Sequence, residues 1–212
     1  MLNKTEIIIC GTGQLAKLTY KLLNINKDLN IKVVGFIDKK PKSKKLYGIK
    51  IYKEKNTYFF KEICKNILIA VGNIKKRNEI VSKYKKKGFK FPTINFSFDK
   101  TKSVKIGEGC LILPSTTILP NTTIGKFCVI GTGVNILHDV NIKNNCVIGG
   151  GTLIGAEVNL KNNISVGVGS TFASSKITIN NNVTVCAGSV VLNNINKNQK
   201  VIGNPARVIS IK

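Results

Sequence analysis

The feature that most constrains this chain is a spacing. From Ile106 a bulky apolar residue returns at every sixth position, through Ile112, Ile118, Ile124, Ile130, Ile136, Ile142, Ile148, Ile154, Leu160, Val166 and Phe172, without a break. The frame then slips by one residue and resumes at Ile179, Val185 and Val191. Four positions after each member stands a smaller or β-branched residue: Cys110, Thr116, Thr122, Cys128, Val134, Val140, Cys146, Thr152, Val158, Ile164 and Ser170. A helix buries residues at a period near 3.6 and a strand at a period of 2, so neither holds a six-residue register over a dozen units. A fixed repeat marks units that cannot bury a face alone and must stack on their neighbours. Two inward positions in six describe short strands joined by tight corners. Three units make one coil, so about five coils span 106–196, stacked at the ~4.8 Å spacing of adjacent strands.

Gly107, Gly125, Gly131, Gly149, Gly155 and Gly167 each follow a ladder residue directly, and the pairs Asn144-Asn145, Asn162-Asn163 and Asn181-Asn182 recur at the corners. Glycine and asparagine tolerate the positive φ that such corners can need, so both sets are expected to serve that purpose. Of the six cysteines, Cys110, Cys128 and Cys146 fall within the repeat and none forms a C-x-x-C pair, which argues for small buried apolar residues and against a disulfide framework or a zinc site.

Residues 5–98 have another texture. Ile7–Cys10 reads as a buried parallel strand, followed by Gly11-Thr12-Gly13-Gln14-Leu15-Ala16-Lys17 and an amphipathic helix. Val33–Ile37 is a second strand ending in Asp38, and Ile67–Val71 a third ending in Gly72-Asn73. This βαβ pattern places a glycine-rich turn at a helix N-terminus, where phosphate can bind. The match of G-x-G-x-x-A and a later acidic residue to the dinucleotide fingerprint is weak, and fewer than 100 residues precede the repeat. Half a Rossmann-like fold, holding a mononucleotide, is the more economical reading.

With 34 Lys and Arg against 10 Asp and Glu, the net charge of +24 favours anionic partners. Lys, Asn and Ile are in excess together, which points to a compositional bias as its source. No aromatic-interleaved basic segment appears, so nucleic-acid binding is not expected. The absence of a long apolar run argues against a membrane span and for a cytoplasmic protein.

The ladder, together with the tail Gly203-Asn204-Pro205-Ala206-Arg207, resembles the left-handed β-helix of the hexapeptide acyltransferases. Preceded by a small Rossmann-like domain, it is similar to one subfamily: nucleotide-linked amino-sugar N-acetyltransferases of the bacillosamine and perosamine type, with sialic acid O-acetyltransferases as relatives. The matching segments are Gly11 to Lys17, Phe36-Ile37-Asp38, Gly72-Asn73 with Arg77, and Leu137-His138-Asp139. The resemblance implies two domains, 1–98 for the nucleotide sugar and 99–212 for acyl transfer. It also implies a homotrimer with sites between subunits, and acetyl-CoA as co-substrate. Gly11, Gly13, Asp38, Lys39, Gly72 and Asn73 would then bind the nucleotide sugar. Coenzyme A would run along the later coils past Ala156, Ser174, Ala187, Gly188, Gly203, Pro205 and Arg207. Two positions depart from the pattern: a common histidine of the glycine-rich loop is Leu15, and the second acid after the strand is Lys39.

Acyl transfer to an amine or hydroxyl needs a base, an oxyanion donor and precise placement. His138 is the chain's only histidine, so the choice of base is forced if a histidine is used at all. Lying two residues past Ile136, it should sit at the outer surface near a corner. A lone histidine is more often structural, but here it coincides with the family's L/N/D-H-D segment. Asp139 could hold the imidazole, provided the backbone bends there, since adjacent strand residues point to opposite faces; otherwise it binds substrate or a neighbouring subunit. Eighteen residues after His138, the N–H of Ala156 is the oxyanion candidate. One histidine cannot supply the three that a β-helix carbonic anhydrase needs, so no metal site is expected.

The expected activity is acetyl-CoA-dependent N-acetylation of the 4-amino group of a UDP- or dTDP-linked deoxyamino sugar, in surface-glycan or O-antigen synthesis. The alternative is O-acetylation of sialic acid or another sugar. A third possibility is an NAD-binding or purely structural solenoid without turnover.

Overall fold

The computed structural model describes residues 4–97 and 103–209. The chain divides into two compact units, Met1–Pro92 and Thr93–Lys212. The expected boundary between 98 and 99 lies outside the described residues. Chain contacts divide after Pro92, because Ile94–Asn95 pairs in parallel with Leu111–Ile112 and caps the first coil.

In the first unit, β1 (Thr5–Cys10), β2 (Ile31–Asp38), β3 (Lys45–Leu46), β4 (Ile49–Lys53) and β5 (Ile67–Ile69) form one sheet in the order β3-β4-β2-β1-β5. All neighbours are parallel except β3 and β4, which form a hairpin. Helices α1 (Gln14–Ile25), α2 (Thr57–Ile63) and α3 (Ile74–Lys86) complete it. Continuous apolar runs within a strand, such as Ile7, Ile8 and Ile9 at 0% exposure, are what a sheet covered on both faces requires. The three strands expected from the sequence are present, the third ending at Ile69, two residues early. From β1 the chain moves outward to β2 on one side and later returns to β5 on the other. That reversal opens a crevice at the C-terminal ends of β1, β2 and β5, the usual place for a ligand in such sheets.

The second unit is a three-faced parallel β-helix. Two-residue strands repeat every six positions, and each pairs with the strand one coil away: Ile124 with Ile142, Ile130 with Ile148, Ile136 with Ile154. After Phe172 the offset becomes 19, as in Leu160 with Ile179, which is where the frame slip was read. Both inward series line a single core. The smaller series has a second task. Its polar side chains bond corner carbonyls: Cys110 Sγ donates to Gly125 O (3.0 Å), Thr116 Oγ1 to Gly131 O (3.0 Å), Cys128 Sγ to Lys143 O (3.1 Å) and Cys146 Sγ to Lys161 O (3.1 Å). Carbonyls turned inward at each corner need donors, and thiols and hydroxyls are donors small enough to fit.

The two corner residue types divide their labour differently from expectation. Positive φ belongs to the third residue after each ladder position from Ile106 to Val166: Gly109, Ser115, Asn121, Phe127, Gly133, Asp139, Asn145, Gly151, Glu157, Asn163 and Gly169. The second asparagine of each pair is therefore left-handed, as expected. The glycines directly after the ladder are not. At Gly167 a Cβ would lie 2.3 Å from the Ala187 nitrogen, and at Gly149 2.5 Å from that of Val168. Those glycines are required by the closeness of the next coil, not by φ.

One corner carries an amide ladder: Asn145 donates to Asn163 (2.8 Å), Asn163 to Asn182 (3.0 Å) and Asn182 to Asn198 (2.9 Å). The tail turns at Gly203–Ala206 so that Arg207–Val208 runs antiparallel to Lys200–Ile202.

Candidate functional site

In the β-helix the site is built at the corner Leu137-His138-Asp139. Four backbone groups pin it. Leu137 N donates to Ile154 O (2.9 Å), Leu137 O accepts from Thr122 Oγ1 (2.9 Å), Asp139 N donates to Pro120 O (3.1 Å) and His138 O accepts from Glu157 N (3.2 Å). Asp139 has φ +58°, and this left-handed bend lets its carboxylate turn back on the preceding side chain. His138 Nδ1 and Asp139 Oδ2 are 2.7 Å apart, with the imidazole about half exposed. The alternation expected of strand residues does not apply, because Asp139 is a corner residue. Hydrogen bonds from His138 and from the Asn121 side chain, one coil away, hold the Asp139 carboxyl below the usual carboxylate range. With the carboxylate accepting from Nδ1–H, the neutral ring's Nε2 is left as an acceptor.

Ala156 stands one coil from His138 and Ser174 one coil further. The Ala156 N–H donates to Ser174 Oγ at 3.2 Å, so amide and hydroxyl meet at one spot. Of the residues expected along coenzyme A, Ala187 crosses the backbone of Gly167, Gly188 and Gly203 have positive φ (+67° and +107°), and Pro205 lies in the tail turn. Arg207 is exposed and its Nη1 donates to Ala206 O (3.1 Å).

In the first unit a cavity of about 560 Å³ opens at the strand ends. Its lining includes Gly11, Asp38 and Lys39 from the expected set, together with Cys10, Glu54, Val71, Lys76, Glu79, Ile80 and Lys83. Gly11 has φ +114°, and a Cβ there would meet Ala70 O at 3.0 Å, so only glycine keeps this approach of β1 to β5. Asp38 is fixed by Thr12 Oγ1 and by the backbone N–H of Lys40 (2.8 Å). Gly13 and Asn73 are instead the N-caps of α1 and α3, the latter through Oδ1 accepting from Lys76 N (2.9 Å), and Gly72 precedes that cap. None of the three lines the cavity. Arg77 is buried and donates from Nη2 to Val71 O (2.6 Å), so it shapes the Gly72-Asn73 turn from behind. Sequence reasoning missed Lys76, Ile80 and Lys83, although their spacing puts them on one face of α3. Burial pushes the Cys10 thiol up to about 12, which makes it a wall and not a nucleophile. Among the described residues no group of three or more His, Cys, Asp or Glu is gathered, and no helix is long and apolar enough to cross a membrane.

Both halves match family models: residues 6–84 the PglD N-terminal domain, and residues 103–138 and 121–156 the bacterial transferase hexapeptide of six repeats. The chain joins a PglD-type N-terminal domain to a transferase hexapeptide repeat. GDP-perosamine N-acetyltransferase from Caulobacter crescentus, crystallised as a histidine-to-alanine variant with CoA and GDP-perosamine, is similar over 97% of both chains (TM-score 0.90, 22% identity). The acetyltransferase domain of PglB from Neisseria gonorrhoeae, in complex with acetyl coenzyme A, matches 97% of this chain and 100% of its own (TM-score 0.85, 20% identity). WeeI from Acinetobacter baumannii does likewise (97% and 100%, TM-score 0.80, 22% identity). At such identities these likenesses establish the two-domain fold. No curated protein matches the sequence significantly.

Proposed function

We propose that the protein is an acetyl-CoA-dependent N-acetyltransferase that acylates the 4-amino group of a nucleotide-linked deoxyamino sugar, serving surface-glycan or O-antigen synthesis. The observation that carries this reading is the His138–Asp139 contact of 2.7 Å at a pinned corner, one coil from the Ala156 amide. Asp139 fixes the tautomer, and His138 Nε2 takes the proton that the sugar's amine loses as it attacks the thioester carbonyl directly. The Ala156 N–H, which donates to Ser174 Oγ in the free chain, is the donor for the oxygen on which charge develops, the substrate oxygen displacing the hydroxyl. The closely stacked Gly149, Gly167 and Ala187 give a slender thioester arm access to the backbone, and Arg207 offers charge to its phosphates.

In the α/β unit, Gly11, Asp38, Lys39 and the helix N-termini at Gly13 and Asn73 suit a nucleoside diphosphate. UDP or dTDP is the expected carrier; GDP, which the Caulobacter neighbour binds, belongs in the same panel. A homotrimer with sites between subunits fits a catalytic histidine that is half exposed within its own chain. Thiol release from acetyl-CoA against UDP-, dTDP- and GDP-linked amino sugars tests the proposal. Turnover with one amino sugar and none with its hydroxyl analogue is expected; acylation of hydroxyl sugars alone would replace it with the O-acetyl reading. Absence of turnover with either class would leave only a binding protein.

A further inference from the structure

The β3–β4 hairpin and the segments flanking it carry a charge pattern of which the proposed nucleotide site uses only Lys39. Between residues 39 and 55 lie Lys39, Lys40, Lys42, Lys44, Lys45, Lys50, Lys53 and Lys55, about three times the density of basic residues in the whole chain, which has 34 in 212. All eight are exposed. The only acid in the stretch, Glu54, is 3.1 Å from Lys83 Nζ on α3. No ion pair of the described residues involves Lys39, Lys40, Lys42, Lys44, Lys45, Lys53 or Lys55. Lys42, Lys44, Lys45, Lys50 and Lys53 line one shallow depression of about 620 Å³ with Pro41, Ser43 and Ile51 and no acidic residue.

Two features set this apart from a general excess of lysine. Lys45 and Lys50 are directly opposed across the antiparallel pair, an arrangement that destabilises a hairpin. Lysine on an edge strand discourages pairing with another chain, but only Lys45 lies on the edge strand β3, so the other seven answer no such need. At the hairpin's tip, Tyr47 and Gly48 both have positive φ (+52° and +78°), giving a tight turn that holds Tyr47 outward at 43% exposure. Its ring stacks on Tyr20 of α1 (4.9 Å between centroids, 4° between planes), and Lys21 Nζ lies 5.8 Å from it. Lys21 shares its helix face with the exposed Leu18 and Ile25. A half-exposed aromatic and two aliphatics among lysines are the chemistry of a surface that sits on lipid headgroups: ammonium groups meet phosphates while the apolar groups enter the interface.

We propose that the hairpin and the outer face of α1 form a docking surface for an anionic lipid bilayer, holding the enzyme peripherally at a membrane. The proposal does not depend on which sugar is acylated. Co-sedimentation of the full chain with vesicles of phosphatidylcholine alone, or with about a third phosphatidylglycerol, tests it. Binding to the anionic vesicles only, released by high salt, is expected. The triple variant Lys42→Glu, Lys44→Glu, Lys45→Glu should weaken partitioning by at least about a hundredfold. A variant of equal charge change in the β-helix, Lys143→Glu, Lys161→Glu, Lys197→Glu, should weaken it by much less, and Tyr47→Ser should weaken it without changing net charge. Equal losses in the two triple variants would overturn the proposal in favour of bulk charge, as would tighter binding to RNA than to anionic vesicles. Acetyl transfer in solution should be unchanged in the hairpin variant, so a failed membrane assay is separable from a failed assignment of activity.

Discussion

Strand partners in the β-helix stand 16 to 19 residues apart, 18 in most coils, whereas the α/β unit brings Gly11, Asp38 and Lys83 to one cavity from three separate segments. The first arrangement makes every coil a copy of its neighbours, so a functional residue stands out as a break in the copying. At the left-handed corner position, other corners carry Gly, Asn, Ser, Phe or Glu, and one carries Asp139 behind the chain's only histidine. The second arrangement has no template against which a functional residue could stand out. Its cavity depends on how far β5 extends and on which face α3 turns inward, which are matters of packing.

The largest expected effect tests whether close coil stacking limits the β-helix. Gly167→Val puts side-chain atoms where the Ala187 backbone lies 2.3 Å from a Cβ position, so stability should fall by more than about 4 kcal/mol, seen as loss of a cooperative thermal transition. Its counterpart, Gly13→Ala, meets nothing within 4 Å and should stay within about 0.5 kcal/mol of the parent. An unchanged melting temperature for Gly167→Val would break the contrast.

Next comes chemistry at the corner. His138→Ala should lower kcat by roughly a hundredfold or more while leaving the melting temperature alone, since the side chain is half exposed. Near-parental turnover would end its assignment as the base. Asp139 separates backbone from chemistry. Asparagine occupies the same left-handed position in other coils, so Asp139→Asn should fold normally yet lose at least about tenfold in kcat as the tautomer becomes unset. Asp139→Ala should add a stability loss of about 1 kcal/mol for an alanine at positive φ. Because the Asp139 pKa is depressed in the folded protein, the contact with His138 should be complete above the ordinary carboxylate range and lost only as pH falls through that lower value. Imidazole nitrogen shifts followed by NMR on acidification would report it. A last effect belongs to the amide ladder: Asn163→Gly keeps the left-handed corner, interrupts two side-chain bonds and should cost about 1 kcal/mol in denaturant unfolding with turnover unchanged.

The ladder, the frame slip, the five coils and the βαβ core were legible because each rests on which residues are apolar and at what period. The Asp139 bend was half legible. The sequence placed it at a corner, but only the repeating left-handed φ at the third residue after each ladder position decides where its side chain turns. The glycines after the ladder were misassigned because glycine answers two needs, positive φ and missing bulk, and spacing along one chain does not separate them. Lys76 and Lys83 were illegible for a different reason: in a chain with this much lysine, two more on a helix carry no signal until the sheet shows which face of α3 closes the cavity.

The stacked cysteines give the β-helix a built-in clock. Cys110, Cys128 and Cys146 are wholly enclosed, each Sγ engaged by a corner carbonyl, and the Cys128 thiol is pushed up to about 12. An alkylating reagent reaches such sulfurs only when neighbouring coils part. The rate at which each one is labelled therefore times the opening of its own coil, and the order of labelling would show from which end the solenoid frays.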